Sequence, residues 1–189
     1  MMEKIKSRLL ASHVYPLFCI AMLSFLVFMY GINRPNYNWD GIGYVAALYK
    51  SDAGNNPVAI HDLTFAEVRA GVTPDKWITL TQSSPYVSEV FHSPNSLYQQ
   101  IPFYEIRPAY LGLVKVFSNF GLGYLKSTYW VSAVFAALST LLFCQFFRVG
   151  SSLAWVFAAI LISMNFKMGR YSTPDAMANF LYCLAQLLI

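Results

Sequence analysis

Charge is what this sequence has least of. Only 12% of its 189 residues are Asp, Glu, Lys or Arg, about half the roughly 25% typical of a soluble domain. That scarcity, beside 57% hydrophobic and 17% aromatic residues, points to a membrane protein. The net charge is only +4, and no run of Lys and Arg is long enough to track a phosphate backbone, so no nucleic-acid partner is expected. Cysteine is scarce too. Cys19, Cys144 and Cys183 each fall inside an apolar run without metal-ligand spacing, so all three read as small buried hydrophobes rather than a disulfide framework. The chain also lacks a G-x-S-x-G motif, a Walker loop and a zinc-type spacing of His and carboxylates. No span carries a charge at its centre and no inverted repeat is visible, which counts against a transporter.

The apolar residues gather into runs. Residues 9–32 carry no Asp, Glu, Lys or Arg and match the roughly 20 apolar residues that cross a bilayer core. Lys4, Lys6 and Arg8 precede them. A secretory signal would have a shorter apolar stretch and a small-residue cleavage site. The run therefore reads as a retained transmembrane helix, with residues 1–8 in the cytoplasm. A second span covers 127–147, with Tyr129 and Trp130 where an aromatic belt would sit. A cytoplasmic turn at 148–152 leads to a third span at 153–166, and an outer loop follows at 167–173. The last stretch, 174–189, gives about 15 residues, too few to span. It reads as the start of a fourth span, and the chain as the N-terminal portion of a longer protein. Arg148 falls inside, as the positive-inside rule favours, but Lys167 and Arg170 fall outside, where the rule disfavours them. The expected fold is an all-α membrane protein: a polytopic helical bundle with a long outer loop carrying amphipathic surface helices.

That outer loop, residues 33–126, is far longer than the roughly 15 residues beyond which structureless loops are rare. "DGIGYVAALY" places Ile42, Val45, Ala46 and Tyr49 at helical spacing, which suits a helix lying along the membrane surface. "HDLTFAEVRAG" predicts a short helix ending at Gly71. "TPDKWITLTQSSPYVSEVFHSPNSLYQQIPF" reads as turns and extended segments, because Pro, Ser and Thr punctuate it. "RPAYLGLVKVFSNFG" predicts an amphipathic helix, with Pro108 in its first turn and Gly121 at its end.

Two acids stand out. Asp40 follows the first span and Asp175 opens the fourth, so the topology puts both on the outer face at similar depth. Ionisable groups at membrane level are functional suspects. A plainer explanation suits each equally well. Thr173, Pro174 and Asp175 make a good helix start, and Asp40 could cap the helix that follows it. Lys167 and Arg170 could snorkel to headgroups, and Arg107 could pair with Glu105 or a headgroup. His61 and His92 read as ordinary loop residues, and His13 carries no role.

In order along the chain, the first span, the acid in "NWDGIGYVAALY", the long loop ending in "FYEIRPAYLGLVKVFSNFGLGYLKSTYWVSAV" and the opening "GRYSTPDAMANFLYCLAQLLI" together resemble the GT-C-fold glycosyltransferases. Protein O-mannosyltransferases and aminoarabinose transferases are the nearest named groups. The resemblance implies a sugar transfer from a polyisoprenyl-phosphate donor to an acceptor hydroxyl of a lipid, glycan or protein. The site would lie at the outer face of a membrane, the bacterial inner membrane with its loop in the periplasm. It implies Asp40 as the catalytic carboxylate and Asp175 as a second acidic site. A divalent Mg or Mn ion could be shared by Asp40 and Asp175. Arg170 and Arg107 are the cations suited to the donor phosphate. There is one departure: many O-mannosyltransferases have two adjacent acids in the first loop, whereas Gly41 follows Asp40 here. Membrane lipids are the other expected partners. The reading that stays open beside the enzyme is a non-catalytic membrane scaffold or polysaccharide-assembly partner.

Overall fold

The computed structural model describes the backbone of residues 2–146 and 152–187, and the side chains of 18–143 and 160–186. Among the described residues the fold is all-α, with ten α-helices and no strand. They are α1 (Met2–Asn33), α2 (Trp39–Ala53), α3 (Pro57–Gly71), α4 (Pro74–Gln82), α5 (Pro85–His92), α6 (Pro94–Glu105), α7 (Pro108–Phe117), α8 (Tyr124–Phe146), α9 (Ser152–Met168) and α10 (Asp175–Leu187). A π-helical turn, Ser118–Leu122, links α7 to α8, with Gly121 at φ +83° making the bend.

The segment from Thr73 to Phe103, read above as turns and extended chain, is instead three helices. Its Pro and Ser residues start helices rather than break them. Pro57, Pro74, Pro85, Pro94 and Pro108 each open a helix, where a missing N–H costs nothing and the fixed φ already suits the helix. Asn56 accepts from the N–H groups of Val58 and Ala59, Ser84 from Val87, and Ser93 from Ser96, which satisfies donors that have no partner inside the helix.

A second correction concerns α2. It was expected to lie on a surface, but every residue from Gly41 to Leu48 is buried. Apolar and small residues surround this helix on all sides, and such a helix belongs in a core. It packs on α3, α6 and α8. Tyr44 meets the rings of Tyr104 and Tyr110 edge-on, at centroid separations of 5.0 and 4.9 Å. Any Cβ at position 43 would overlap the Tyr104 ring, so only glycine lets α6 approach so closely. Phe65, Trp77 and Phe91 form a further edge-to-face cluster joining α3, α4 and α5.

The long helices are organised around α8, which packs against α1, α9, α10 and, at its start, α7. Small groups set the spacing: a Cβ at Gly31 of α1 would come within 2.8 Å of Ala133 Cβ and 2.7 Å of the Gly169 carbonyl oxygen. An amide ladder crosses three helices. Asn165 of α9, fully buried, donates to Thr140 of α8 at 3.1 Å and accepts from Asn179 of α10 at 3.0 Å. Cys183 is buried as expected, but Cys19 is exposed on α1. The Cys144 and His13 side chains and the whole of Arg148 lie outside the described residues.

By length and composition, Tyr124–Phe143 is the one described segment long and apolar enough to cross a membrane, and 56% of it is buried within the protein; Phe18–Asn33 is a shorter apolar helix.

Candidate functional site

Asp40 and Asp175 are brought together by two loops, one between α1 and α2 and the other between α9 and α10. The N–H of Asn36 donates to the Arg170 carbonyl at 2.8 Å. Arg170 returns the link, donating through Nε to the Arg34 carbonyl at 2.6 Å. Its guanidinium also lies over the Tyr30 ring, 5.2 Å from the centroid. Ser132 of α8 ties the second loop down by donating to the Thr173 carbonyl at 2.9 Å. Ser172 is fully buried against the α2 backbone, where a Cβ at Gly41 would lie 2.9 Å from its Oγ.

These contacts place three helix ends around one cavity of about 500 Å³. The start of α2 gives Asn38 and Asp40, the end of α9 gives Met164, Lys167 and Met168, and Tyr171, Thr173 and Asp175 complete the wall. The volume is within the range of small-molecule sites, roughly 300–1,000 Å³. Both acids also lie in the first turn of a helix, where the backbone dipole favours negative charge.

The electrostatics at the two acids differ. Asp175 is exposed and accepts from Thr173 Oγ1 at 3.0 Å. Asp40 is half-buried, and burial raises its carboxyl above the usual carboxylate range. The Arg107 charge opposes that rise, the Asp175 charge adds to it, and the Tyr104 hydroxyl lowers it. Asn38 Nδ2 donates to Asp40 at 3.1 Å. Burial likewise pushes the Tyr44 phenol up to about 12, with Arg107 opposing and Asp40 and Asp175 adding to the rise. Burial and then the Asp40 charge raise Tyr104 as well. Both phenols therefore keep their protons and remain donors.

Three buried polar atoms near Asp40 find no protein partner: Asn38 Oδ1, Tyr129 Oη and Ser172 Oγ. They lie against one another, the Tyr129 hydroxyl within reach of the Ser172 hydroxyl and the Asn38 backbone, and of the three residues only Asn38 lines the cavity. Among the described residues no group of three or more His, Cys, Asp or Glu gathers as a metal cluster. Asp40 and Asp175 are the acids that share the cavity.

The four residues singled out from sequence have separate fates. Asp40 and Asp175 line one cavity. Arg107 does not pair with Glu105, which binds Lys50 at 2.9 Å. Its guanidinium stands over the Tyr44 ring, 5.8 Å from the centroid, and its charge is felt at Asp40. Arg170 is not part of the cavity lining and straps the two loops together. Lys167 takes the cavity-lining place instead. Asn38, Tyr44, Tyr104, Lys167 and Tyr171 were not singled out as site residues from sequence. Lys167 carried a signal, a cation on a face where the topology disfavours one. The tyrosines carried none, since in a chain with 13 of them position alone sets these apart. Compared with family models, curated proteins and solved structures, the chain matches none.

Proposed function

We propose that this chain is a membrane glycosyltransferase of the GT-C type, taking a sugar from a polyisoprenyl-phosphate donor at the outer face of a bacterial inner membrane. The observation that carries the proposal is the shared cavity, in which a half-buried carboxylate and an exposed one face each other beside a lysine. The residues of the long helices support a lipid setting. Phe18, Phe25, Leu26, Ile160, Met164, Leu181 and Tyr182 are turned outward, while Ser24, Ser132, Ser139, Thr140 and Asn165 are buried. Water favours the reverse arrangement, whereas helices packing in lipid use small and polar residues at their contacts. A polytopic bundle is part of the same proposal.

The chemistry follows from the geometry. Asp40, ionised, takes the proton of an acceptor hydroxyl. The hydroxyl oxygen bonds to the anomeric carbon of the sugar as the bond from that carbon to the phosphate oxygen breaks. The electron pair leaves with the lipid phosphate, and the product is inverted. Lys167 at the cavity wall and Arg107 behind Tyr44 supply positive charge as the phosphate departs. Asp40 and Asp175 offer the oxygen donors that Mg²⁺ or Mn²⁺ prefers, and Mg²⁺ sites commonly combine one or two carboxylates with water and substrate phosphate. Bound there, such an ion would neutralise the leaving phosphate.

Turnover of a polyisoprenyl-phosphate sugar by the full-length protein in lipid is the test. Asp40→Asn is expected to lower it by about 10²- to 10⁴-fold, the usual loss for a general base. A folded Asp40→Asn protein with undiminished turnover overturns the base assignment. A second reading has one observation in its favour: both acids occupy first turns, where they stabilise helices without catalysing anything. The chain would then be a non-catalytic scaffold or polysaccharide-assembly partner, and Asp40→Asn with Asp175→Asn would leave its function intact.

A further inference from the structure

Asp40 sits in the first turn of α2, and Gly43 lies three residues on, on the same face of that helix. The position where a Gly43 Cβ would stand is 2.1 Å from Tyr104 Cζ and 2.2 Å from its Cε2. The edge of the ring that carries the hydroxyl is therefore the part pressed against α2. A Cβ bond tilts toward the start of its helix, so this contact lies on the Asp40 side of Gly43. Two further contacts fix the ring there. Tyr44 meets it edge-on at 5.0 Å between centroids. Trp39, the residue before Asp40, donates its indole N–H at 3.4 Å to Gln100, one turn before Tyr104 on α6. Only 9% of Tyr104 is exposed, so the side chain has no open space to turn into.

We infer that Tyr104 is a positioning residue: its hydroxyl holds the Asp40 carboxylate from the α6 side, so that the carboxylate meets the cavity in one orientation. The inference deepens the glycosyltransferase proposal and rests on it for the consequence in turnover, while the contact between the two side chains does not depend on it. Asn38 Nδ2 donates to the same carboxylate at 3.1 Å, and Tyr104 is the second donor. Two donors from different segments fix the plane of a carboxylate that one alone would leave free to swing, and a reacting group needs that support. A hydrogen bond to a carboxylate favours its charged form, and the Tyr104 hydroxyl lowers the Asp40 carboxyl against the rise from burial. The Tyr104 phenol, raised by burial and then by the Asp40 charge, keeps its proton and stays a donor. The other groups that face Asp40 are Asp175, Lys167 and Tyr171 across the cavity, Arg107 at the start of α7 with Tyr44 beside it, and Tyr129 of α8.

The test is NMR of the full chain in detergent micelles with isotope-labelled aspartate carboxyls, where the resonance lost in Asp40→Asn reports the titration of Asp40. In Tyr104→Phe the Asp40 midpoint is expected to move upward, because the bond that favours the ionised form is gone, with the helical circular dichroism unchanged. Gly43→Ala should move it the same way, since the new methyl displaces the ring with its hydroxyl intact. Tyr110→Phe is the control. It removes the hydroxyl of a fully buried tyrosine that donates to the Thr128 carbonyl at 3.2 Å, and it should leave the Asp40 midpoint where it was. In turnover, Tyr104→Phe should lower kcat about tenfold, equivalent to about 1.4 kcal/mol, with KM unchanged. An Asp40 midpoint unmoved in folded Tyr104→Phe, or moved equally by Tyr110→Phe, overturns the inference. So does a raised KM at undiminished kcat. A midpoint raised in Tyr104→Phe, when the unaltered protein turns over no polyisoprenyl-phosphate sugar, rejects the glycosyltransferase reading and leaves the hold on Asp40 standing.

Discussion

Helices α2 to α7 and the group formed by α1, α8, α9 and α10 bury different mixtures of residues. The first region hides Ile42, Tyr44, Val45, Ile60, Val68, Leu97, Ile101 and Tyr110 in one continuous apolar core. The second has a small apolar cluster of Val27, Ala136 and Ala176; its α8 gives Leu125, Tyr129 and Val131 to the first core, while α1, α9 and α10 turn Phe25, Ile160 and Leu181 outward and Ser24, Ser139, Thr140 and Asn165 are buried. The difference teaches that hydropathy in this chain changes its meaning with place. In α2 it marks a core surrounded by protein. In α1 it marks an outward face, where Phe18, Phe25 and Leu26 are exposed. The candidate site lies at the seam, where the first turn of α2 meets the ends of α9 and α10.

Substitutions can break or sharpen this contrast. Ile101→Ala, in the core of the first region, is expected to cost about 2–5 kcal/mol through lost burial and the cavity left behind. Phe25→Ala, on the outward face of α1, should change stability by no more than about 0.5 kcal/mol, as surface substitutions do. Denaturant unfolding in one lipid-mimetic medium measures both, and comparable losses would erase the distinction. Asn165→Ala, in the amide ladder, should cost about 0.6–1.7 kcal/mol, the range for interhelical hydrogen bonds in lipid. Arg170→Met removes the strap between the two loops. It should cost about 1 kcal/mol, and it should lower turnover by displacing Asp175. Undiminished turnover would mean that the strap does not hold Asp175 in place.

The smallest effect concerns pH. The Asp40 carboxyl is raised by burial and by Asp175, so its base form is lost, and activity falls, at a higher pH than an ordinary carboxylate near 3.9 would give. Asp175→Asn removes a like charge and should move the acid limb of the pH–rate profile downward. Arg107→Gln removes an opposing charge and should move it upward. An acid limb that does not move in one of these variants would show that the charge removed there does not act on Asp40.

Much of the helix pattern was legible because local rules suffice for it. Pro108 opens α7, Gly121 bends its exit and α3 ends at Gly71, all from single-residue geometry. The stretch from Thr73 to Phe103 misled for the same reason. Proline both ends and begins helices, and in a run of Ser, Thr and Pro only the hydrogen bond from Ser84 or Ser93 tells which. At the site, two carboxylates in a chain poor in charge could be noticed from sequence. That Arg170 would be occupied by the Arg34 carbonyl, and that Lys167 would line the cavity, depended on a loop pairing with no local signature.

The amino-acid sequence by itself determined the all-α class seen among the described residues, the start of α7 at Pro108 and the scarcity of charge that singles out Asp40 and Asp175, because propensity, capping and composition act over a few residues. Only the tertiary structure decided that α2 is a core helix, that both acids share one cavity and that Tyr44, Tyr104 and Arg107 gather around Asp40. Those outcomes depend on contacts between distant segments, such as Gly43 against Tyr104 and Asn36 with Arg170, and such contacts exist only once the helices have packed.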